Sequence, residues 1–533
     1  LVLFFKKEHS SFMLKPCYLA AALIGLLAIW LSLPAATLAG TGGVFTAPDG
    51  DLPTNLIGHL AYQAPGWHWP LFRAPNLAWP SGESVAMTDS NPLVSIIAKI
   101  LASLRGQPAN LLGVWLAICL LALPISATFA MRGIAKPGRN ALPAALTVSV
   151  LALLFPEFWF RVIHVNLLGQ FVLVVALGIA IRCCGARRPA PFAALFWLGL
   201  IAALIHPYFF VFCTIVLAGP TLQAALARQP DARDGIRKLG LAFLLVAGLF
   251  LAMNGGPGRG GPGYGLYSLD LLGPFWPQES GLFGRGLPIL DSTGYQAEGF
   301  NYLGAGIVSL IGLAIVLTKP AGLAALWRHY KGLIMVLLAL TALAITPHIT
   351  AGGHTILPID CSFLARPLSV LRSSGRAFWV VGFALMIVPV AFLAQRLRPR
   401  LFIPAMATAL VLQWVDTSPI RHGALAYLAG TGQTPIGFTL PPGTTLFRTV
   451  PVCDPDEVMA DRYRLVAIRA GARLADSRPA HDPPDDVCAR QKQVGLSAPL
   501  QPGETRLFLP SVAGMAPAEC ARGALGALCF RQP

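Results

Sequence analysis

The stretch TAPDGDLPTNLIGHLAYQAPGWHWPLF, residues 46–72, brings together Asp49, Asp51, His59, Trp67, His68 and Trp69. Carboxylates at such a density can take a proton from a hydroxyl, imidazoles can relay one or bind a metal, and indoles can stack on a ring or rest in a membrane interface. Further groups of these types follow at wide intervals: Asp89; Glu157, Arg161 and His164; His206; Asp270, Glu279, Asp291 and Glu298; then His348, His354, Asp360, Arg366, Arg372 and Arg376. The apolar runs between them are nearly free of ionisable residues, whereas pumps and ion-coupled transporters need acids or histidines at mid-membrane depth. Any chemistry therefore belongs at the ends of the apolar runs.

Those runs must position the groups. The chain has 533 residues, 55% of them hydrophobic and 12% charged, and its mean hydropathy of +0.63 is too high for a soluble globular protein. Runs long enough to cross a hydrocarbon core of about 30 Å as helices fall near 16–38, 110–131, 140–156, 166–182, 190–206, 208–227, 238–254, 302–318, 333–347, 377–394 and 401–415. The expected fold is an all-α polytopic bundle of eleven spans. With the N-terminus in the cytosol, the inside segments hold nineteen of the forty Lys and Arg against three acids, Glu8, Asp231 and Asp234, so the whole formal excess of +16 lies on one face. The basic balance reflects topology and is no nucleic-acid footprint.

The chain divides into a cytosolic N-terminus (1–15), a membrane domain (16–416) with large outside loops at 39–109, 255–301 and 348–376, and an outside domain (417–533) expected to be a small α/β or mixed fold. The segment LPAATLAG offers a cleavage site after Ala39, and Met13 offers a second start; either way residue 40 onward lies outside. NPLVSIIAKILASLR (91–105) is too short and too charged to span, so it reads as an interfacial helix. GGPGRGGPGYG (255–265) lacks the flanking strand and the Lys-Ser/Thr of a phosphate loop and reads as a flexible connection. Of ten cysteines, Cys453, Cys488, Cys520 and Cys529 lie in the outside domain, an even number consistent with two disulfides of undetermined pairing.

A first span running into a long acidic loop, an interfacial helix, many further spans and a soluble C-terminal domain resembles the GT-C class of membrane glycosyltransferases. The patches GDLPTNLIGHLAY, WHWPLF, NLAWPSGES, TDSNPLVSIIAKIL, HPYF, EGFNYLGAG and LRSSGRAFWVV are more narrowly similar to an uncharacterised bacterial family placed near that class. The resemblance covers residues 45–395 in layout and only these patches in motif. It implies transfer of a sugar from a polyprenyl-phosphate-linked donor, at the outer face of the bacterial inner membrane, to a glycan, lipid or protein acceptor. The first-loop acid, Asp51 with Asp49 as competitor, would be the base. Arg372 and Arg376, four apart and so expected on one helical face, would hold the phosphate. His59, Trp67, His68, Trp69, Asp89 and His206 would line the substrate. No paired acidic motif occurs in the second large loop, which leaves the cofactor unknown and a divalent metal open.

Each residue also has a plainer role. Asp51 can cap the helix that starts at LPTN, and Asp89 can cap the one that starts at NPLV. His59 and His68 can pack, His206 can satisfy a helix end, and the tryptophans and arginines can be interfacial anchors. The rival functions are a transporter or flippase of a lipid-linked glycan and a non-catalytic envelope-assembly protein.

Overall fold

In a computed structural model of the chain, the structure describes residues 14–64, 66–134, 138–257, 264–359, 371–434, 437–452, 457–476 and 485–533. Met13, Asp360, Arg366, Cys453 and the side chain of Cys488, all named above, lie outside the described residues, as does part of the glycine-rich connection.

Apolar runs of the expected kind become helices α1 (Leu14–Ser32), α4 (Leu112–Ile134), α5 (Ala141–Leu153), α7 (Phe171–Gly185), α8 (Phe192–Ile205), α9 (Pro207–Leu226), α10 (Ala232–Asn254), α11 (Ala305–Leu317), α12 (Pro320–Ile345), α13 (Trp379–Arg396) and α14 (Pro399–Asp416). Among the described residues seven helical stretches are long and apolar enough to cross a membrane, or eight if the bent pair α14 and α15 (Ser418–Ala429) is one span. Pro16–Ser32, Phe192–Ile205 and Ala305–Leu317 are apolar but shorter. The chain is thus a polytopic helical membrane protein, with seven or eight such helices among its described residues. The expected eleven is a finer count that includes the shorter ones.

Small residues let these helices approach. A Cβ on Gly178 of α7 would lie 2.6 Å from the Phe129 ring of α4. Where α12 leaves helical geometry at Tyr330, Gln223 of α9 repairs the break: its Oε1 accepts from Gly332 N at 2.8 Å and its Nε2 donates to Arg328 O at 3.2 Å. Polar backbone freed inside an apolar bundle has to be satisfied by a neighbour.

Helices α2 (Leu52–Tyr62) and α3 (Pro92–Arg105) lie in the first large loop, and a one-turn helix α6 (Pro156–Phe160) follows α5. Asn91 caps α3, accepting from Val94 N at 3.3 Å, so the expected capping role of Asp89 belongs to Asn91. Helix α3 turns its lysine inward: Lys99 Nζ donates to Tyr62 O at 2.7 Å and Ala64 O at 3.1 Å, and burial lowers its pKa to about 8. Its exposed stripe is Ile97, Ile100 and Leu104.

Two short antiparallel pairs, β1 (Arg73–Ala74) with β2 (Glu83–Ser84) and β3 (His348–Ala351) with β4 (His354–Pro358), precede the C-terminal region, which carries a five-stranded sheet in the order β6 (Arg473–Leu474), β5 (Leu446–Val450), β7 (Glu504–Phe508), β9 (Gly526–Phe530), β8 (Ala521–Gly523). The β5 strand is parallel to β6 and β7, and the β7–β9–β8 half is antiparallel. Helices α16 (Glu457–Arg469) and α17 (Asp485–Ser497) accompany it, and Cys520 and Cys529 form a disulfide. This region is fastened to the first loop: Trp79 N donates to Leu474 O and Leu474 N to Asn76 O, both at 2.8 Å, and Arg469 bonds Phe45 O.

Candidate functional site

Gly50 turns the chain with φ +64°, and α2 begins immediately after with Pro53 in its first turn. Asp51 occupies the cap position in αR geometry, and its side chain makes no capping hydrogen bond. Instead its Oδ2 lies 3.0 Å from His164 Nδ1. Asp49, two residues earlier, is exposed, and its carbonyl accepts from the Tyr427 hydroxyl at 2.8 Å. Of the two aspartates, Asp51 is the one whose carboxylate faces His164.

Asp89 reaches the same imidazole from the far end of the loop, with Oδ2 3.7 Å from His164 Nδ1. It sits at φ +53°, in the left-handed region that Asp tolerates better than most residues. Asn55 Nδ2 donates to its carbonyl at 2.6 Å, and Asn166 Nδ2 donates to its Oδ1 at 3.0 Å. Next to it, the loop lies against α2 at Gly58, where a Cβ would come within 1.9 Å of Thr88 Oγ1. Asn55 and Gly58 thus bring Asp89 up to the helix that begins at Asp51.

A second row of charges lies behind His164. Arg161 Nε donates to Glu157 Oε1 at 2.9 Å, one helical turn back, and its two other nitrogens bond the carboxylate and carbonyl of Glu298. Glu298 Oε2 is also 4.0 Å from His164 Nε2 and 3.6 Å from Arg376 Nη2. The Arg161 guanidinium lies 5.6 Å from the Trp379 ring, and that of Arg376 lies 5.5 Å from the Tyr208 ring. Among the described residues Glu157 Oε2, His164 Nε2, Arg376 Nε and Trp379 Nε1 are buried in this cluster without a hydrogen-bond partner. Three are nitrogens that can donate, and unsatisfied buried donors are costly enough to call for a polar occupant or water.

The electrostatics follow from this packing. Burial works against a charged His164, but hydrogen bonds and charge from Asp51 and Asp89 outweigh it and raise its pKa to about 9. Burial likewise pushes Asp89 up, and the bond to His164 with its charge, aided by His206, brings it below its ordinary value. Glu298, also opposed by burial, is held at about 2 by Arg161, His164 and Arg376.

The other expected residues have plainer partners. His59 is buried, with Nδ1 3.0 Å from Ser95 Oγ and Nε2 3.2 Å from Ala109 O, and burial lowers its pKa to about 4. His206 Nδ1 accepts from Tyr208 N at 3.1 Å, which caps α9. Trp67 lies 5.3 Å from Lys99 Nζ, and His68 and Trp69 are exposed. Arg372 and Arg376 do not share a helical face, because the short 3-10 turn starts only at Ser374. Arg372 rests on the Tyr267 ring at 5.5 Å, and Arg376 alone joins the cluster. Glu157, Arg161, His164 and Glu298, which the sequence places at the ends of apolar runs without a specific role, form the centre of this cluster. The signal for the first three was their spacing, i, i+4 and i+7, in the otherwise apolar PEFWFRVIHVN.

Ligand atoms of Asp51, Asp89 and His164 all lie within 4.8 Å of one another. Neighbouring ligands of a bound ion sit roughly 3.0–3.5 Å apart when the bonds are about 2.0–2.2 Å, and the separations at His164 Nδ1 are 3.0 and 3.7 Å. Two carboxylates and one imidazole suit Mn²⁺, Fe²⁺ or Zn²⁺ better than Mg²⁺ or Ca²⁺. Glu298 near Nε2 would then fix the imidazole from behind.

Residues 22–418 match the family described as Domain of unknown function (DUF6311). The chain belongs to the DUF6311 family. The matched stretch contains Asp51, Asp89, Glu157, Arg161, His164, Glu298 and Arg376, and it ends before the C-terminal sheet. No curated protein matches the chain.

Proposed function

We propose that this DUF6311 protein is a membrane glycosyltransferase of GT-C type, which moves a sugar from a polyprenyl-phosphate-linked donor to a cell-envelope acceptor at the outer face of the bacterial inner membrane. The observation that carries the reading is the position of Asp51. Its carboxylate is released from helix capping and oriented by His164, yet its side chain stays 42% exposed, so a substrate hydroxyl can reach it. Asp51 takes the proton from the acceptor hydroxyl as that oxygen bonds the anomeric carbon, and the bond from that carbon to the donor phosphate breaks with its electron pair on the phosphate. Arg376, with its unpartnered Nε, would receive the phosphate charge. A divalent ion held by Asp51, Asp89 and His164 would add positive charge for the same leaving group. The flippase alternative needs a polar path through the bundle, whereas this cluster is built from loops and helix ends.

The deciding experiment is Asp51→Asn in membranes supplied with a polyprenyl-phosphate-linked sugar. Loss of a general base should cut transfer by about 10²–10⁴-fold; full transfer would rule the reading out. Lipid translocation by reconstituted vesicles without any sugar transfer would favour the flippase.

A further inference from the structure

Residues 271–290 form a loop with an apolar exposed surface. Leu272, Phe275, Trp276, Phe283 and Ile289 are all exposed, as is Ile356 on the β3 (His348–Ala351) and β4 (His354–Pro358) hairpin. Between 271 and 290 the only charges are Glu279 and Arg285, which cancel. An aqueous loop of this length would be expected to hide such groups or to be far more polar.

The backbone of this region is tied to helix ends. Leu269 N donates to Ala344 O at the end of α12, Gly281 N to Asp416 O at the end of α14, and Leu303, two residues before α11, donates to Pro274 O. Asp416 strengthens the second tie, since it also bonds Ser280 Oγ, accepts from Tyr302 Oη at 2.8 Å and accepts from Ala305 N at 2.7 Å. Leu271 N donates to Thr350 O at 2.9 Å, which joins the loop to the hairpin. Apolar surface continues down the helices from these ties, through Trp414 and Val411 on α14 and Leu338 on α12. Trp414 lies half a turn from the tie at Asp416, a place where an aromatic belt is expected.

We propose that the 271–290 loop and the exposed face of β4 around Ile356 are embedded in the bilayer, at the boundary between headgroups and acyl chains of the leaflet on that side. The occupant of the apolar face is lipid. Continuity with the lipid-facing surface of the spans, the low charge and the helix-end anchors all point the same way. The loop is then a floor at the membrane surface, level with the ends of α11, α12 and α14 to which it is tied, and it stands independently of any transfer activity.

The test uses the full chain in lipid nanodiscs holding one copy each, with Phe283→Cys and, separately, Ile289→Cys labelled with an environment-sensitive fluorophore and wild-type labelling subtracted. Gln501→Cys, on the exposed surface of the C-terminal region, serves as the aqueous reference. The 283 and 289 labels should be quenched by spin-labelled lipid, and their quenching by iodide should be at least about threefold weaker than at 501. Iodide quenching equal to that at 501 would overturn the proposal. So would protection that appears only in discs holding two copies, since the occupant would then be a second copy of the chain.

Discussion

Asp51 Oδ2 and His164 Nδ1 stand 3.0 Å apart, joining the acid at the start of α2 to a histidine in the connection between α6 and α7. Two carboxylates face one imidazole nitrogen, since Asp89 lies 3.7 Å from the same atom. With no metal bound, the charges balance best when His164 keeps its proton.

That proton makes a pH prediction. The pKa of His164 is raised from the usual 6.5 to about 9, so its contribution to stability is full below about pH 6.5 and fades as pH rises through about 9. With chelator present, thermal unfolding in detergent should show an alkaline loss of stability across that window, and His164→Gln should remove the pH-dependent part. An unchanged alkaline slope in the variant would show that His164 is not the group responsible.

Metal binding should compete with the same proton. Electron paramagnetic resonance with Mn²⁺ is expected to report one site per chain, with affinity that climbs with pH up to about 9 because the imidazole must be deprotonated to ligate. Asp89→Asn and His164→Gln should each weaken binding by tenfold or more, in the range of lost ligands and their supports. Equal binding in wild type and variants would place the ion elsewhere.

Arg161 is fully buried between Glu157 and Glu298. Arg161→Met leaves the Glu157 carboxylate buried and unpaired, and should destabilise the protein by about 3–5 kcal/mol. Adding Glu157→Gln should restore part of that loss, which denaturant titrations of the single and double variants can measure.

The C-terminal region supports the site from behind. Thr54 Oγ1, one turn into α2, donates to Asp461 Oδ2 at 2.5 Å, and Asp461 is in turn held by Arg464 at 2.6 Å. Thr54→Val should leave the bundle intact but cost about 1–3 kcal/mol at this contact. Hydrogen exchange should then speed up in residues 52–62 and stay unchanged in α4 and α7. A uniform change across the molecule would mean that the contact does not act locally.

Much of the helical layout was legible because a span announces itself locally: about twenty apolar residues in a row can be read without knowing what lies beside them. The short helices α8 and α11 show where that reading loses resolution, since apolarity alone does not say whether a helix of 13 or 14 residues reaches across. The sheet region was legible as a mixed fold from its charges and turns, but its strand order was not, because pairing depends on partners distant in sequence. Asp89 illustrates the limit at the site. Its TDSNPL context suits an N-cap, and only the position of Asn91 and the bond from Asn166 show that its carboxylate turns toward His164.

Composition and run length alone establish a membrane protein whose ionisable groups collect at the ends of apolar helices, since both are local properties set by the cost of placing charge in hydrocarbon. Which of those groups meet is set by the packing of the folded chain. Asp51 rather than Asp49, Arg376 rather than Arg372, and His164 with Glu298 come together because of backbone turns and packing between segments far apart in the chain, and no spacing along one segment encodes those contacts.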